Sequence, residues 1–158
     1  MNKSWIANGF TAANALFGGL SIMMSISGEY HVAAICILIA MAADAFDGRV
    51  ARALGTAGPM GVELDSLSDD ISFGVAAGAL MYSYQLRELG AFGFIPCALL
   101  GAFCAFRLAR FNVKVTSVHG YFEGLPCPTV GVIIACYVLS GVKIWNWLAM
   151  VCVLALAV

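Results

Sequence analysis

Charge is the scarcest property of this 158-residue sequence, because Asp, Glu, Lys and Arg together make up only 11% of it. Hydrophobic residues account for 62%, and the mean hydropathy is +0.94, above the range of soluble globular domains. These values exclude a soluble enzyme and indicate a membrane protein. With only eight Lys and Arg residues and a net charge of −1, we expect no nucleic-acid partner.

Motifs that bind metals through cysteine or histidine are also missing. The six cysteines form no CxxC pair, and the two histidines have no partner at ligand spacing. We therefore expect the cysteines, which lie mostly inside apolar stretches, to pack as small hydrophobic residues. The strict alternation of apolar and polar residues that β-strands show is scarce too, so helices are favoured.

Six apolar stretches run along the chain, separated by short polar breaks. They predict an all-α, polytopic membrane protein with six transmembrane helices, forming a single domain over 1–158. The last stretch reaches only about 22 Å at roughly 1.5 Å per residue, whereas a hydrocarbon core measures about 30 Å. It is therefore either tilted into protein or truncated. The stretches are 9–27, 31–47, 70–86, 91–109, 126–142 and 144–158.

The basic residues favour one orientation in the membrane, since Lys and Arg in short loops collect on the cytoplasmic side. With the N-terminus inside, only Arg87 and Lys143 fall outside. We therefore expect a protein of the cell (inner) membrane with both termini in the cytoplasm. No small-residue cleavage site follows the first stretch closely, so we expect it to be retained as a helix. The cytoplasmic basic residues are Lys3, Arg49, Arg52, Arg107, Arg110 and Lys114.

One segment, DAFDGRVARALGTAGPMGVELDSLSDD at 44–70, is rich in charge, with five aspartates, one glutamate and two arginines. Asp44 and Asp47 are three apart, and Asp65 and Asp69 are four apart, so each pair shares one helix face. The intervening LGTAGPMG breaks the helix and turns the chain back. The two pairs are therefore expected to face each other at the cytoplasmic side. Asp70 points about 100° away from Asp69, and we assign it no catalytic role.

Four carboxylates at the edge of a low-dielectric phase need a positive partner. Hard oxygen ligands on facing helices suit Mg²⁺ or Mn²⁺, which in turn favour phosphate oxygens. Gly48 leaves room for a close approach by a substrate, and Arg52 offers a fork that matches phosphate. Salt bridges to nearby arginines are one alternative, and the ion or proton path of a transporter is another. A phosphate site needs Gly48, Arg52 and the glycine-rich turn, whereas an ion path does not.

The pattern D-x2-D-G-x2-A-R-x8-G-x3-D-x3-D over 44–69 resembles the signature of the CDP-alcohol phosphatidyltransferase family at all eight positions. The resemblance implies a homodimeric enzyme in which an alcohol hydroxyl displaces CMP from a CDP-linked lipid. It also implies that two metal ions are bound, that Asp69 is the catalytic base, and that Gly48 and Arg52 contact the CDP diphosphate. The implied metal ligands are Asp44, Asp47, Asp65 and Asp69.

Four further segments, NGFTAAN, DSLSDDISFG, RLARFN and FEGLPCP, resemble the phosphatidylserine synthase branch of the family. They favour CDP-diacylglycerol as the donor and L-serine as the acceptor, in preference to glycerol phosphate, inositol phosphate or choline as the acceptor. Serine is a zwitterion and needs both a cation and acceptors. Arg110 and Asn112 are the candidate serine-binding residues, together with a loop that carries His119 and Glu123.

Three residues are candidates for contacts to the nucleotide. Thr11 and Asn14 share one helix face, and two roles stay open for them: nucleotide contacts or hydrogen bonds between helices. The third candidate is Thr56. Many relatives carry Ser or Thr six residues after the signature arginine, where this chain has Gly58, so Thr56 is a candidate to supply the hydroxyl.

Overall fold

The structure is a computed structural model, and it describes residues 4–55, 58–115 and 126–157. Within these ranges the chain is helical and contains no strand, which confirms the all-α prediction. A π-helical turn, Asp70–Val75, follows the third α-helix, and a 3₁₀ helix, Leu86–Leu89, precedes the fifth. The α-helices are α1 (Ser4–Ile26), α2 (Tyr30–Leu54), α3 (Pro59–Asp69), α4 (Ala76–Tyr84), α5 (Ala91–Val115), α6 (Cys127–Leu139) and α7 (Asn146–Ala157).

The third helix, the π-helical turn and the fourth helix form one continuous rod. The backbone keeps right-handed helical angles at both junctions, with φ −62° and ψ −43° at Asp70 and φ −68° and ψ −40° at Ala76. The rod begins at Pro59, and proline is tolerated there because a first-turn N–H has no helical acceptor. It starts well before residue 70, where the third apolar stretch begins, because Glu63, Asp65 and Asp69 make its second and third turns polar.

Among the described residues, three helices are long and apolar enough to cross a membrane, at Asn8–Ile26, Tyr30–Val50 and Ala91–Val113. The apolar helices α6 and α7 are shorter, with 13 and 12 residues. A helical segment occupies each of the six predicted stretches in the described part of the chain. Length and apolarity support three of the six predicted crossings, and the other three stay predictions.

The π-helical turn lies at the centre of the bundle, where it packs against α1, α5 and α6. Phe73, in the middle of this turn, is 1% exposed and belongs to one core cluster with Ile37, Leu80 and Val138. Many large apolar side chains face outward instead, as the lipid-facing surface of a membrane protein requires. Four of the six free cysteines are buried, and Cys136 and Cys152 are exposed.

Polar contacts tie the bundle together at the end opposite the aspartates, which we call the far end (Gln85, Tyr137 and Ile144). The Gln85 side-chain amide donates to the Ile144 carbonyl at 2.5 Å and accepts from the Tyr137 hydroxyl at 2.5 Å. Lys143 lies 5.0 Å from the Tyr84 ring centroid at the same end. Arg87, in the 3₁₀ helix, is the other basic residue that the sequence predicts on the outer side of the membrane. The far end therefore holds both of these basic residues, Arg87 and Lys143.

Candidate active site

Three carboxylates from two helices converge at one end of the bundle. Asp44 and Asp47 lie on α2 and Asp65 lies on α3, and one ligand oxygen of each is within 4.8 Å of the others. We call this set the aspartate triad. Helical spacing places the two α2 residues on one face, and the turn between α2 and α3 brings the third opposite them. Three of the four carboxylates that the sequence predicts to face each other therefore converge in the structure.

The aspartate triad fits a divalent cation. Asp47 is only 6% exposed, and Oδ1 of Asp65 is buried and accepts no hydrogen bond from the described residues. A buried carboxylate oxygen without a partner is costly, and neighbouring carboxylates repel it. Three anionic oxygens from two rigid helices match the ligands that Mg²⁺ and Mn²⁺ prefer, with further positions left to water or phosphate. The triad is thus suited to a metal that binds phosphate.

Asp69 lies one turn after Asp65, beside the aspartate triad but outside it. It is 7% exposed, and its carboxyl group is close enough to that of Asp44 for the two to interact. The Asn14 side-chain amide donates to Oδ1 of Asp69 at 3.0 Å. Asp69 therefore has one oxygen held by the protein, and its roles as ligand and base stay predictions.

Helix α1 contacts both carboxylate groups. The Thr11 hydroxyl donates to Oδ2 of Asp47, and Asn14 donates to Asp69 three residues later. Thr11 is 4% exposed and Asn14 is fully buried. One of the two roles left open by the sequence, hydrogen bonding between helices, is thus seen for both residues. Their contact with the nucleotide stays a prediction.

Two serines at the site were not predicted from the sequence. The Ser72 hydroxyl donates to the backbone carbonyl of Asn14 at 2.9 Å, and the Ser66 hydroxyl accepts from the Asn112 amide at 3.0 Å. Both serines lie within the segment DSLSDDISFG, and their helical spacing from the aspartates was the available signal. Asn112 therefore brings the end of α5 beside α3, and Arg110 is exposed on the same helix.

Asp70 faces α5 rather than α2. A Cβ built on Gly74 would lie 2.8 Å from Oδ1 of Asp70 and 3.0 Å from Cβ of Cys104, a residue of α5. The two consecutive aspartates, Asp69 and Asp70, thus contact different helices, as the 100° step between them predicts.

One of the remaining predicted residues lies within the described part of the chain, and four lie partly or wholly outside it. Gly48 lies on α2 directly after Asp47 and is half-buried. The side chain of Arg52 lies outside the described residues, as do Thr56, His119 and Glu123.

Comparison with known proteins gives consistent results. The profile of the CDP-alcohol phosphatidyltransferase family matches residues 4–158. A CDP-diacylglycerol–serine O-phosphatidyltransferase of Helicobacter pylori is 38% identical over 137 residues, which are 86% of this chain and 58% of the relative. An archaetidylserine synthase of Methanothermobacter thermautotrophicus is 40% identical over 130 residues, 81% of this chain and 55% of the relative.

A third relative is a CDP-diacylglycerol–serine O-phosphatidyltransferase of Bacillus subtilis. It is 38% identical over 122 residues, which cover 77% of this chain and 68% of the relative. The chain thus spans between roughly half and two thirds of the length of these three proteins. All three carry serine in the name of the activity or product, and none is a transporter.

Proposed function

The chain belongs to the CDP-alcohol phosphatidyltransferase family, and on this premise we propose that it transfers the phosphatidyl group of CDP-diacylglycerol to the hydroxyl of L-serine and releases CMP. One observation carries this function: the aspartate triad, with its oxygens within 4.8 Å, stands on three signature positions of the family. The relatives named for serine products support the acceptor.

Asp44, Asp47 and Asp65 would hold Mg²⁺ or Mn²⁺, two ions in all, with Asp69 as a further ligand. When bound, such ions neutralise the diphosphate and stabilise the oxygens of the leaving phosphate. The protein supplies the geometry, because two rigid helices fix the carboxylates before the substrate arrives. Gly48 and Arg52, on the same helix as the first two aspartates, are the proposed contacts to the diphosphate, and Thr56 is the proposed contact to the nucleotide.

Asp69 is the proposed general base. One of its oxygens accepts from Asn14, which leaves the other oxygen to take the proton from the serine hydroxyl. The serine oxygen then forms a bond to the phosphorus that carries diacylglycerol. The bond between that phosphorus and the bridging oxygen breaks, and its electron pair leaves with CMP. A held carboxylate beside the aspartate triad suits this role, since the base must lie close to the reacting phosphate.

The serine pocket is proposed at Arg110 and Asn112. Asn112 bonds to Ser66, the residue directly after Asp65, so this part of α5 lies next to the aspartate triad. Arg110 supplies the cation that a serine carboxylate requires. The proposed setting is the inner membrane, with the site on the cytoplasmic side and two copies of the chain forming a homodimer.

Release of CMP from CDP-diacylglycerol tests this function directly. The purified protein in detergent, with Mg²⁺ or Mn²⁺, is offered serine, glycerol phosphate, inositol phosphate or choline in separate reactions. We expect release with serine and little with the other three. Release with a different alcohol alone would correct the acceptor, and no release with any of them would remove the transferase assignment.

A further inference from the structure

The first helix bonds to two carboxylates that belong to different parts of the site. Thr11 donates to Asp47, a member of the aspartate triad, whereas Asn14 donates to Asp69, which lies outside it. Both donors are at least nine-tenths buried, and so are both acceptors. A buried hydrogen bond to a carboxylate is short, strong and directional. Helix α1 is therefore placed to orient the two carboxylates separately.

The direction of each bond follows from chemistry. An ionised carboxylate only accepts, so the hydroxyl of Thr11 and the NH₂ group of Asn14 must be the donors. Each bond occupies one oxygen of its carboxylate and fixes the rotation of the group, and the second oxygen stays available for a metal or a proton. Groups that bond to metal ligands in this way set the ligand orientation and its basicity.

The position of Asn14 is itself secured from the π-helical turn. The Ser72 hydroxyl donates to the Asn14 backbone carbonyl at 2.9 Å, and Ser72 is fully buried. Ser72 lies three residues after Asp69 on the same rod. The rod therefore carries the Asp69 carboxylate and also the Ser72 hydroxyl, which bonds to Asn14, the donor to Asp69. Asn14 on α1 thus contacts the rod at two points.

We infer that Thr11 and Asn14 are positioning residues with separate tasks: Thr11 orients Asp47 for metal binding, and Asn14 orients Asp69 for proton transfer. This inference rests on the proposed function, which makes Asp47 a triad ligand of the metal and makes Asp69 the base as well as a further ligand. It differs from a nucleotide contact, which would raise the KM for CDP-diacylglycerol. The two tasks predict different kinetic and binding defects.

The test uses purified Thr11→Val and Asn14→Leu proteins with two readouts. Binding of Mn²⁺ alone is followed by the loss of the free Mn²⁺ electron paramagnetic resonance signal, and CMP release gives kcat and the KM for CDP-diacylglycerol. Thr11→Val should weaken Mn²⁺ binding about 10-fold or more, and Thr11→Ser, which keeps the hydroxyl, should restore it. Asn14→Leu should lower kcat about 10-fold to 100-fold and should weaken Mn²⁺ binding less than Thr11→Val does, because Asp69 lies outside the aspartate triad.

Ser21→Ala is the matched control, because Ser21 is a buried hydroxyl on α1 that bonds to no described carboxylate. It should keep wild-type Mn²⁺ binding and kcat. Thr11→Ala and Asn14→Ala replace the first two variants if those do not purify as folded proteins.

Three results would overturn the inference: wild-type Mn²⁺ affinity in the Thr11 variant, equal losses in Ser21→Ala, or a raised KM for CDP-diacylglycerol as the main defect. The proposed function fails separately. If the wild-type protein releases no CMP but Thr11→Val still weakens Mn²⁺ binding, the transferase is refuted and the task of Thr11 is supported.

Discussion

Replacement of Gly18 by alanine should disturb the site from a distance. Gly18 lies on α1 one turn after Asn14 and faces the π-helical turn. A Cβ at this position would lie 2.9 Å from Cα of Ser72 and 3.0 Å from its Cβ. The Ser72 hydroxyl can rotate aside, but its backbone cannot. The helix and the rod must therefore move apart at the point where their hydrogen bonds meet.

The size of the movement follows from these distances. Ordinary van der Waals contact begins at 3.4 Å, so the contact at Cα of Ser72 requires a further separation of about 0.5 Å. The bond from Asn14 to Asp69, now 3.0 Å, would lengthen to about 3.5 Å, where hydrogen bonds become weak. Overpacking costs about 1 to 3 kcal/mol and one buried hydrogen bond contributes about 1 kcal/mol. The total loss is about 2 to 4 kcal/mol.

Two assays measure this effect, thermal unfolding in detergent and CMP release. The loss in stability corresponds to a fall in Tm of about 4 to 16 °C for a chain of this size. Displacement of Asp69 should lower kcat about 10-fold to 100-fold. Gly19→Ala is the matched control, because nothing lies within 4 Å of a Cβ at position 19. That variant should gain up to about 1 kcal/mol from helix propensity. Equal Tm and kcat in the two variants would refute the close contact between α1 and the π-helical turn.

Three other outcomes are expected. Excess chelator should abolish CMP release, and Mg²⁺ or Mn²⁺ should restore it; full turnover in chelator would contradict the metal site. The metal site also predicts that binding of Mn²⁺ and of the CDP-lipid weakens together in each of three variants, Asp44→Asn, Asp47→Asn and Asp65→Asn. Asp69→Asn should fold, bind CDP-diacylglycerol and lose kcat by roughly 10² to 10⁴-fold. Asp70→Asn should stay near wild type because Asp70 faces α5. A near-normal kcat in Asp69→Asn would be inconsistent with the role of Asp69 as the general base. Gln85→Leu should lower the free energy of unfolding by about 2 to 3 kcal/mol, with the KM for CDP-diacylglycerol unchanged. It removes the donor to the Ile144 carbonyl and the acceptor of the Tyr137 hydroxyl at the far end, although that hydroxyl still accepts from the Ile144 N–H. An unaltered Tm would show that these bonds contribute nothing.

Much of the site could be predicted because its signals are local. Spacings of three and four residues place Asp44 with Asp47, and Asp65 with Asp69, without any knowledge of the fold. The glycine-rich turn is equally local, and α2 indeed ends at Leu54 before α3 begins at Pro59. These patterns depend only on helix geometry, which every α-helix shares.

The partners across the bundle could not be predicted in the same way. Thr11 and Asp47 are 36 residues apart in sequence, and Asn14 and Asp69 are 55 apart. Spacing places a residue on a helix face, but the rotation of one helix against another decides which groups meet. The start of the rod lies before the third apolar stretch for another reason: Glu63, Asp65 and Asp69 make its first helix polar, so that helix is predicted by spacing and not by hydropathy. The π-helical turn has no simple sequence pattern either.

The π-helical turn has a consequence for how the length of this chain can change. It separates two faces of the rod, the acidic face at Asp65 and Asp69 and the apolar face at Ala77 and Leu80. A π-helical turn is closed by hydrogen bonds between residues five apart, so it holds one residue more than an α-helical turn does. Loss of one residue within Asp70–Val75 would therefore return this turn to regular α-helix, with Ala77 and Leu80 still in the core and the aspartates in place. Loss of one residue from α4 would instead rotate everything beyond it by about 100°. We therefore expect related sequences to tolerate a one-residue deletion within 70–75 better than one within Ala76–Tyr84.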